Sequence, residues 1–289
     1  MNAAAKRLII VSGLSGAGKT VALHALEDVG FYCVDNLPVS FLGEFARLTC
    51  TSDLPQYRLV AIGIDARNTV EALSDFPAVL AGLRANALTI DLVYIEAAED
   101  VLLKRFSETR RRHPLSSGSV PLQDAIRRER RVLEPIAEAA NLRIDTSRLN
   151  VHALRELIRS RVARREPGTL SLLFVSFGFK NGVPPDCDFM FDVRCLPNPH
   201  WHANLRDHTG QHPAVVSFLE AAPAVSEMVL DVCAFLDRWV PRFEAEDRSY
   251  LTIAFGCTGG RHRSVYVAER LGAHFRGAGK SVLINHRDM

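Results

Sequence analysis

Short apolar runs alternate with amphipathic stretches along the first half of the chain. These runs are rich in β-branched and aromatic residues, and those that predict strands are residues 7–11, 31–35, 59–64, 92–95 and 142–144. After the first run, Val21, Leu23, Leu26 and Val29 recur at helical spacing, and Gly30 offers a stop. Strands that alternate with helices predict a parallel sheet with helices on its faces.

The same alternation resumes after a break at Pro167-Gly168. Further strands are predicted over residues 171–179, 188–193 and 250–255, and helices over 214–221, 225–239 and from residue 265 onward. Thr146 or Ser147 is predicted to cap the helix that precedes the break. The pattern therefore predicts an α/β protein with an N-terminal domain of residues 1–166 and a smaller C-terminal α/β domain of residues 169–289.

Composition and charge narrow the class of protein. The chain has 289 residues, a formal net charge of +2 and six cysteines, none of them in a C-x-x-C pair. This cysteine usage favours reduced thiols, so we expect a cytoplasmic protein. The apolar run after the basic start is too short for a signal peptide, and no stretch is long enough for a membrane span. With so small a net charge, any nucleic-acid binding must come from local patches.

Residues 13–20 (GLSGAGKT) match the G-x-x-x-x-G-K-[ST] phosphate-binding loop, or P-loop, between a predicted strand and a predicted helix. This setting predicts a P-loop NTPase or kinase-like N-terminal sheet. The glycines let backbone N–H groups converge on phosphate oxygens at a helix N-terminus. Lys19 is predicted to reach the β and γ phosphates and Thr20 to ligate Mg²⁺. The nucleoside triphosphate site comprises Gly13, Leu14, Ser15, Gly16, Ala17, Gly18, Lys19 and Thr20.

Carboxylates stand at the ends of four predicted strands: Asp35, Asp65, Glu96 and Asp145. Ligands of parallel sheets gather at this edge, so each carboxylate is a candidate for a water-mediated contact to Mg²⁺ or for a contact to a base or ribose. Acids in these positions also cap helices and turns, and that structural alternative stays open for each.

Residues 104–131 form the most basic part of the N-terminal domain, with two helical halves around the break at 113–118. One interpretation is a phosphotransferase lid whose arginines contact phosphates. The other is a solvated helix face with ion pairs along it. The basic residues are Lys104, Arg105, Arg110, Arg111, Arg112, Arg127, Arg128, Arg130 and Arg131.

A second strand–loop–helix begins at Cys257, where C-x₅-R is followed by a serine. This is the spacing of the phosphate loop in cysteine-dependent phosphatases, although Gly256 stands where those enzymes usually carry histidine. The leading interpretation is an anion cradle without chemistry, the alternatives being a phosphatase and a structural turn. The predicted ligand-binding residues of this loop are Cys257, Thr258, Gly259, Gly260, Arg261, His262, Arg263 and Ser264.

Polar residues between the proline-rich turns of the C-terminal domain are candidates for the same site. Asp192 and Arg194 alternate at a strand end, and His200 follows them, so Asp192 and His200 are predicted ligand-binding residues. A metal site is the less favoured alternative for the histidine cluster, because such a site needs ligands that face inward. The cluster consists of His200, His202, His208 and His212.

Seven segments resemble the RapZ/YvcJ family of P-loop nucleotide-binding proteins, and together they extend over essentially the whole chain. They are residues 12–23 (SGLSGAGKTVAL), 26–38 (LEDVGFYCVDNLP), 65–68 (DARN), 110–115 (RRRHPL), 176–180 (SFGFK), 191–201 (FDVRCLPNPHW) and 256–266 (GCTGGRHRSVY).

The resemblance implies ATP binding at residues 13–20 and weak hydrolysis of ATP and GTP. It associates GTP with the segment formed by Asp65, Ala66, Arg67 and Asn68. It also implies a C-terminal domain similar to a sugar-phosphate-binding half of phosphofructokinase, which senses glucosamine-6-phosphate. Enteric members are RNase adapters that bind small regulatory RNAs and present one to ribonuclease E.

Enteric members continue past the final His-Arg into a basic tail, whereas only Asp288 and Met289 follow Arg287 here. RNA binding would then depend on a moderate basic face opposed by Glu269. Its members are Arg261, Arg263, Arg270, Arg276, Lys280 and Arg287.

Three function classes follow, the first from the resemblance and the other two from the sequence patterns. The first is a nucleotide-binding regulator, which we expect to be homo-oligomeric, that couples a sugar phosphate to an RNA or protein partner. The second is a P-loop small-molecule kinase, for which Asp35 is the candidate base. The third is a phosphatase that acts through Cys257.

Overall fold

The structure is a computed structural model that describes residues 6–52, 54–85, 89–109, 111–116, 120–165, 169–246 and 248–289. The chain forms two compact units, Met1–Pro167 and Gly168–Met289. Several features of the sequence lie outside the described residues. They are the start of the chain before Lys6, Arg110 of the basic segment, Ser117-Gly118 and the break at Pro167-Gly168.

The first unit is built from alternating strands and helices, as the hydrophobic pattern predicts. Its strands are β1 (Arg7–Gly13), β2 (Tyr32–Val34), β3 (Leu59–Gly63), β4 (Thr89–Glu96) and β5 (Leu142–Asp145). Its helices are α1 (Lys19–Glu27), α2 (Val39–Thr51), α3 (Val70–Ser74), α4 (Phe76–Arg84), α5 (Glu99–Thr109), α6 (Leu122–Val132), α7 (Glu134–Ala139) and α8 (Val151–Leu157). A π-helical segment, Ile158–Ala163, continues α8.

The five strands form one parallel sheet in the order β2-β3-β1-β4-β5. β1 is central, and every residue of it is buried, which accounts for its continuous apolar run. The chain leaves β1 toward β2 and β3 on one side and later adds β4 and β5 on the other. The loop after β1 therefore lies where the connections diverge, which is the usual ligand position in such sheets.

The cap predicted for the helix after β5 is wrong. Asn150 caps α8, since its side-chain oxygen accepts the backbone N–H of Ala153 at 2.8 Å. Ser147 instead accepts the N–H of Ala98 before α5, at 2.7 Å. The Thr146 hydroxyl donates to the carbonyl of Ala17 at 2.8 Å, so this residue braces the P-loop.

A buried ion triad ties the start of the first unit to its last described residues. Asp91 has no exposed side-chain surface, and it accepts from Arg7 at 2.7 Å and from Arg165 at 2.6 Å. Arg7 also donates to the carbonyls of Val162, Ala163 and Arg165. Two guanidinium groups and one carboxylate are thus buried together. Their desolvation cost is compensated only while all three remain paired.

The second unit contains a four-stranded parallel sheet. Its strands are β6 (Ser171–Gly178), β7 (Phe189–Asp192), β8 (Tyr250–Cys257) and β9 (Ser281–His286), in the order β7-β8-β6-β9. Its helices are α9 (Pro213–Glu220), α10 (Pro223–Ala245) and α11 (Arg263–Gly277). β6 and β8 are buried along their whole length, and Phe174 of β6 packs on Phe275 of α11, with ring centroids 5.8 Å apart.

The α/β class predicted from the pattern is confirmed in both units. β9 is not among the predicted strands, and it pairs in parallel with β6 from Ser171↔Ser281 to Ser176↔His286. Among the helices of the described residues, none has the length and apolar character needed to cross a membrane.

Candidate functional site

The P-loop connects β1 to α1, and its glycines adopt backbone conformations that other residues rarely reach. Gly13, Gly16 and Gly18 have φ values of 139°, 82° and 118°. A Cβ atom on Gly13 would lie 1.9 Å from the carbonyl oxygen of Ile95, which is backbone and cannot move aside. The N–H of Leu14 donates to that same oxygen at 2.9 Å. The start of the loop is therefore fastened to β4, whereas Gly16 and Thr20 are exposed.

A cavity of about 710 Å³ lies over this loop. Its described lining comes from the P-loop and α1, from the ends of two strands, from the basic segment and from the start of α8. The lining residues are Ser15, Gly16, Ala17, Gly18, Lys19, Thr20, Val21, Asp35, Asp65, Arg67, Arg105, Phe106, Thr109, Arg111, Arg112, Pro114, Thr146, Leu149, Asn150, Val151 and Leu154. The cavity thus combines backbone donors, cations and two carboxylates, a suitable environment for a polyanion with a bound cation.

Lys19 folds back over the loop. Its Nζ donates to the carbonyl oxygen of Gly13 at 2.6 Å. Burial lowers the pKa of Lys19, and the carboxylates of Glu129, Asp65 and Asp35 oppose that shift. Thr20, on the first turn of α1, is exposed to the cavity.

In the segment 65–68, some residues line the cavity and others support the fold. Asp65 is buried and accepts from the Nε of Arg67 at 2.8 Å and from its Nη2 at 2.5 Å, and both residues line the cavity. Asn68 accepts the N–H of Val39 at 2.7 Å, so its side chain fixes the start of α2. Of the four residues predicted to contact nucleotide, Ala66 and Asn68 are not among the described lining.

Of the four strand-end carboxylates, two line the cavity and two make contacts elsewhere in the fold. Asp35 and Asp65 reach the cavity. Glu96 pairs with Arg130 at 3.1 Å and Arg143 at 2.8 Å, and Asp145 accepts the N–H of Ser147 at 2.9 Å. For Glu96 and Asp145 the structural alternative is therefore the one that these contacts favour.

The two halves of the basic segment differ in where their arginines lie. Arg105, Arg111 and Arg112 line the cavity, and Arg105 also donates to the carbonyls of Gly16 and Thr146, at 3.1 and 2.6 Å. On the other helical half, Arg127 pairs with Glu99 at 3.2 Å and Arg130 pairs with Glu96. The lid interpretation thus applies at most to the first half, while α6 carries the ion-paired face.

Two residues that the sequence analysis missed lie directly behind the P-loop. Glu129 accepts the N–H and the hydroxyl of Ser15 at 2.9 and 2.6 Å, and it contacts the Nε2 of His113 at 3.1 Å. Neither Glu129 nor His113 has exposed side-chain surface. The available signal was position, because Glu129 falls on the same helical stripe as the buried Ala125, Ile126 and Leu133.

In the second unit, the loop from Cys257 to Ser264 folds around a buried sulfur. The Sγ of Cys257 accepts the N–H of Gly260 at 3.2 Å and lies 3.2 Å from the hydroxyl of Ser264. Burial raises the pKa of this thiol, but these hydrogen bonds and the N–H of His262 outweigh burial and leave the pKa below its usual value. Thr258 and Arg261 are exposed on the loop.

Arg263 is buried and largely committed to the scaffold. Its Nη1 donates to the carbonyls of Arg194 and Leu196 at 2.7 and 2.9 Å, and its Nη2 lies 3.3 Å from the Thr258 hydroxyl. Any contact of Arg263 with a phosphate, as predicted from its place in the loop, would have to share these donors. Its observed role is to hold the strand-end segment 194–196 against the loop.

The neighbouring polar residues form pairs around this loop. Asp192 pairs with Arg194 at 2.6 Å, and Arg194 lies 4.0 Å over the ring of Phe179. The ring of His200 is 6.3 Å from that of His262. Within the described part of the chain, no group of three or more histidine, cysteine, aspartate or glutamate side chains could hold a metal ion, so the histidine cluster has no support as a metal site.

The predicted basic face is partly neutralised. Arg270 pairs with Glu220 at 3.6 Å, Lys280 with Glu244 at 2.7 Å and Arg287 with Asp288 at 3.1 Å. Arg263 is buried, whereas Arg261 and Arg276 are exposed. The positive surface available to an RNA is therefore smaller than the residue count suggests.

Comparisons with known proteins match this chain to one protein family over nearly its whole length. The model of the RapZ-like N-terminal domain matches residues 6–166, and that of the RapZ C-terminal domain matches residues 170–289. A nucleotide-binding protein of Thioalkalivibrio sulfidiphilus is 52% identical over 284 residues, 98% of this chain and 99% of its own. A nucleotide-binding protein of Cellvibrio japonicus is 52% identical over 283 residues, 98% of this chain and 95% of its own.

Among solved structures, shikimate kinase from Bacteroides thetaiotaomicron is 14% identical and covers 53% of this chain and 94% of that chain. Its TM-score is 0.34, too low to bear on function. The two family models and the full-length relatives confirm the resemblance on which the sequence analysis relied, and the chain belongs to the RapZ family.

Proposed function

We propose that this protein is a regulator whose N-terminal unit binds a nucleoside triphosphate, ATP or GTP, together with Mg²⁺. The observation that carries the proposal is the cavity over the P-loop, where Lys19, four arginines and two carboxylates converge on backbone donors. The full-length relatives are themselves named nucleotide-binding proteins.

The residues of the cavity divide the work of binding. The N–H groups of Gly16, Gly18, Lys19 and Thr20 would surround the phosphates at the start of α1. Lys19 would exchange its bond to Gly13 for phosphate oxygens. The Thr20 hydroxyl and the carboxylates of Asp35 and Asp65 are hard oxygen donors, the type that Mg²⁺ prefers. When bound, this cation would neutralise phosphate charge.

We expect hydrolysis at this site to be slow. Of the two carboxylates in the described lining, Asp65 is held by Arg67, which leaves Asp35 as the candidate to orient a water. Slow hydrolysis is consistent with a regulator, in which the bound nucleotide controls the activity of the protein and is not a phosphoryl donor.

For the C-terminal unit we propose glucosamine-6-phosphate as the ligand of the loop 257–264. Support comes from the family and from the turn of backbone N–H groups around Cys257, with Thr258 and Arg261 exposed beside it. The proposed role of the whole protein is that of a cytoplasmic, homo-oligomeric RNase adapter that presents a small regulatory RNA to ribonuclease E.

A small-molecule kinase is the second candidate function. The observation that favours it is the position of Asp35 in the same cavity as Lys19 and Thr20, where a base for an acceptor hydroxyl would be needed. A kinase would transfer the phosphoryl group to an acceptor, whereas the proposed regulator would release inorganic phosphate slowly.

Asp65→Ala is expected to change the ratio of ATP to GTP affinity by roughly five- to tenfold, because it frees Arg67 at the mouth of the cavity. Titration calorimetry with each nucleotide measures the ratio. Asp145→Ala is the matched control, since Asp145 also ends a strand but is engaged with Ser147. An unchanged ratio in Asp65→Ala would assign this segment to a plain turn.

Cys257→Ser is expected to keep most of the affinity for glucosamine-6-phosphate, because the binding groups of an anion cradle are its backbone donors and arginines. Arg263→Ala is expected to lose about 2–3 kcal/mol of binding free energy, since it removes a charged donor and the brace on residues 194–196. Calorimetry measures both. Hydrolysis of an aryl phosphate that disappears in Cys257→Ser would instead establish the phosphatase alternative.

A further inference from the structure

A buried polar cluster of Ser15, His113 and Glu129, here termed the loop anchor, lies behind the P-loop. Glu129 and His113 are fully enclosed and Ser15 is buried. Burying a carboxylate costs free energy unless every lone pair finds a partner. An apolar residue on the same stripe of α6 would fill the space without that cost, so the carboxylate calls for a reason beyond packing.

Both oxygens of Glu129 are engaged. Oε1 accepts the hydroxyl of Ser15 at 2.6 Å, and Oε2 accepts the N–H of Ser15 at 2.9 Å and contacts the Nε2 of His113 at 3.1 Å. Burial raises the pKa of Glu129, but the hydrogen bond from His113, the charge of Lys19 and the bonds from Ser15 together hold it below its usual value. Glu129 is thus a carboxylate that joins the P-loop to His113.

The hydrogen bonds also fix the orientation of His113. Its Nδ1 accepts the N–H of Leu115 at 3.1 Å, so the proton of a neutral ring sits on Nε2 and is donated to Glu129. The N–H and the hydroxyl of Ser116 both donate to the carbonyl of His113, at 3.0 and 2.8 Å. Residues 113–116 therefore form a fixed turn rather than a loose connection.

A second, apolar contact joins the same two segments. The ring of Phe106 on α5 lies 5.2 Å from that of His113. The edge of Phe106 would be 3.2 Å from a Cβ atom on Gly16, so this ring also packs under the P-loop. His113 is thus connected to the loop by one polar and one apolar path.

Arg111 and Arg112 immediately precede this fixed histidine. Both are exposed, and both line the cavity over the P-loop. An arginine on an unanchored segment would lose much side-chain and backbone entropy on binding an anion. Anchoring the next residue removes part of that cost before the ligand arrives.

We infer that Glu129 and His113 are positioning residues that hold Arg111 and Arg112 at a set distance from the P-loop, so that loop and arginines bind the phosphates as one unit. The inference rests on the proposed binding of a nucleoside triphosphate. It predicts that the arginines contribute to affinity only while the anchor is intact.

A double-mutant cycle with Mg²⁺–ATP tests this coupling. In the otherwise unchanged protein, combined Arg111→Ala and Arg112→Ala is expected to weaken binding roughly tenfold to a hundredfold, the range for charge-assisted hydrogen bonds. Glu129→Gln should cause a comparable loss. In the Glu129→Gln background, removing the arginines should cost no more than about a further twofold, because they are no longer in place.

Matched variants separate positioning from general damage. Arg128→Ala removes an exposed arginine of α6 that is not part of the described cavity lining, and it should leave affinity unchanged. His113→Gln keeps an amide donor for Glu129 and should retain more affinity than His113→Ala. In the absence of nucleotide, trypsin should cleave after Arg111 and Arg112 faster in Glu129→Gln than in the unmodified protein. Mass spectrometry measures the cleavage rate. Should Glu129→Gln fail to fold, His113→Ala provides the anchor-deficient background and His113→Gln its matched control.

Three results would overturn the inference. Additive losses in a folded double variant would mean that the anchor supports the P-loop alone. Intact Mg²⁺–ATP affinity after removal of both arginines would mean that they do not contact the phosphates, and unchanged trypsin cleavage in Glu129→Gln would mean that the segment is not held. Absence of binding of both Mg²⁺–ATP and Mg²⁺–GTP by the unmodified protein would instead reject the proposed function, together with the inference that depends on it.

Discussion

Replacing Lys19 by alanine is expected to weaken Mg²⁺–ATP binding at least about a hundredfold and to leave the unfolding temperature of the protein essentially unchanged. The variant removes the cation that would meet the β and γ phosphates, and it removes no core volume. It also relieves the free-energy cost of holding an ammonium group in a site that disfavours it, since burial lowers the pKa of Lys19. Titration calorimetry and a thermal melt followed by circular dichroism measure the two quantities.

The control for this variant is Lys104→Ala. Lys104 belongs to the basic segment, but its side chain is largely exposed. Its pairing with Glu108 on the same helix is long, at 4.0 Å, and is therefore weak. We expect Lys104→Ala to change neither the Mg²⁺–ATP affinity nor the unfolding temperature. Equal affinity for Mg²⁺–ATP in Lys19→Ala and the unmodified protein would contradict the proposed function of the N-terminal unit.

Asp91→Ala is expected to destabilise the first unit by about 3–5 kcal/mol, the cost of breaking a buried ion pair by removing one partner. The substitution leaves the guanidinium groups of Arg7 and Arg165 buried without their shared carboxylate. The loss should appear as faster amide hydrogen exchange in β1 and β4, measured by mass spectrometry, and as a lower urea midpoint.

A surface pair provides the comparison for Asp91. Glu44 and Arg47 on α2 form a 2.5 Å ion pair with both side chains mostly exposed, so solvent screens it and Glu44→Ala should leave exchange and midpoint unchanged. Both tryptophans, Trp201 and Trp239, lie in the second unit, so their fluorescence follows that unit separately. Full protection of β1 and β4 in Asp91→Ala would show that the triad is not needed for the fold.

Much of the fold follows from the hydrophobic pattern, for a physical reason. Strands buried on both faces read as continuous apolar runs, and β1, β3, β4, β6 and β8 are of this kind. β9 was not predicted although it contains the short apolar run 282–284, and its residues are only partly buried at the edge of the sheet. The order of strands in a sheet is not a local property, so the central place of β1 comes from the structure alone.

The sequence predicts those parts of the candidate site in which the function requires a particular residue type. It does not predict those in which a residue takes its role from the residues that pack around it. A P-loop needs glycine at positions with positive φ, and this need is visible in the sequence. Glu129 is one acid within a highly charged helix, and only its place on the same stripe as Ala125, Ile126 and Leu133 indicated that it is buried. Arg263 was predicted to be a phosphate ligand because its spacing fits, yet the carbonyls it braces are distant in sequence.

The late arrival of β9 beside β6 has a consequence for how the protein is made. Ser176 of β6 and His286 of β9 share a 2.9 Å hydrogen bond although 110 residues separate them. At ordinary translation rates the ribosome needs roughly 5–20 s to synthesise that interval. During this time β6, apolar on both faces, has an unpaired edge that is open to wrong partners. The second unit can close its sheet only after residues 281–286 have left the exit tunnel, whereas every strand of the first unit has by then long been released.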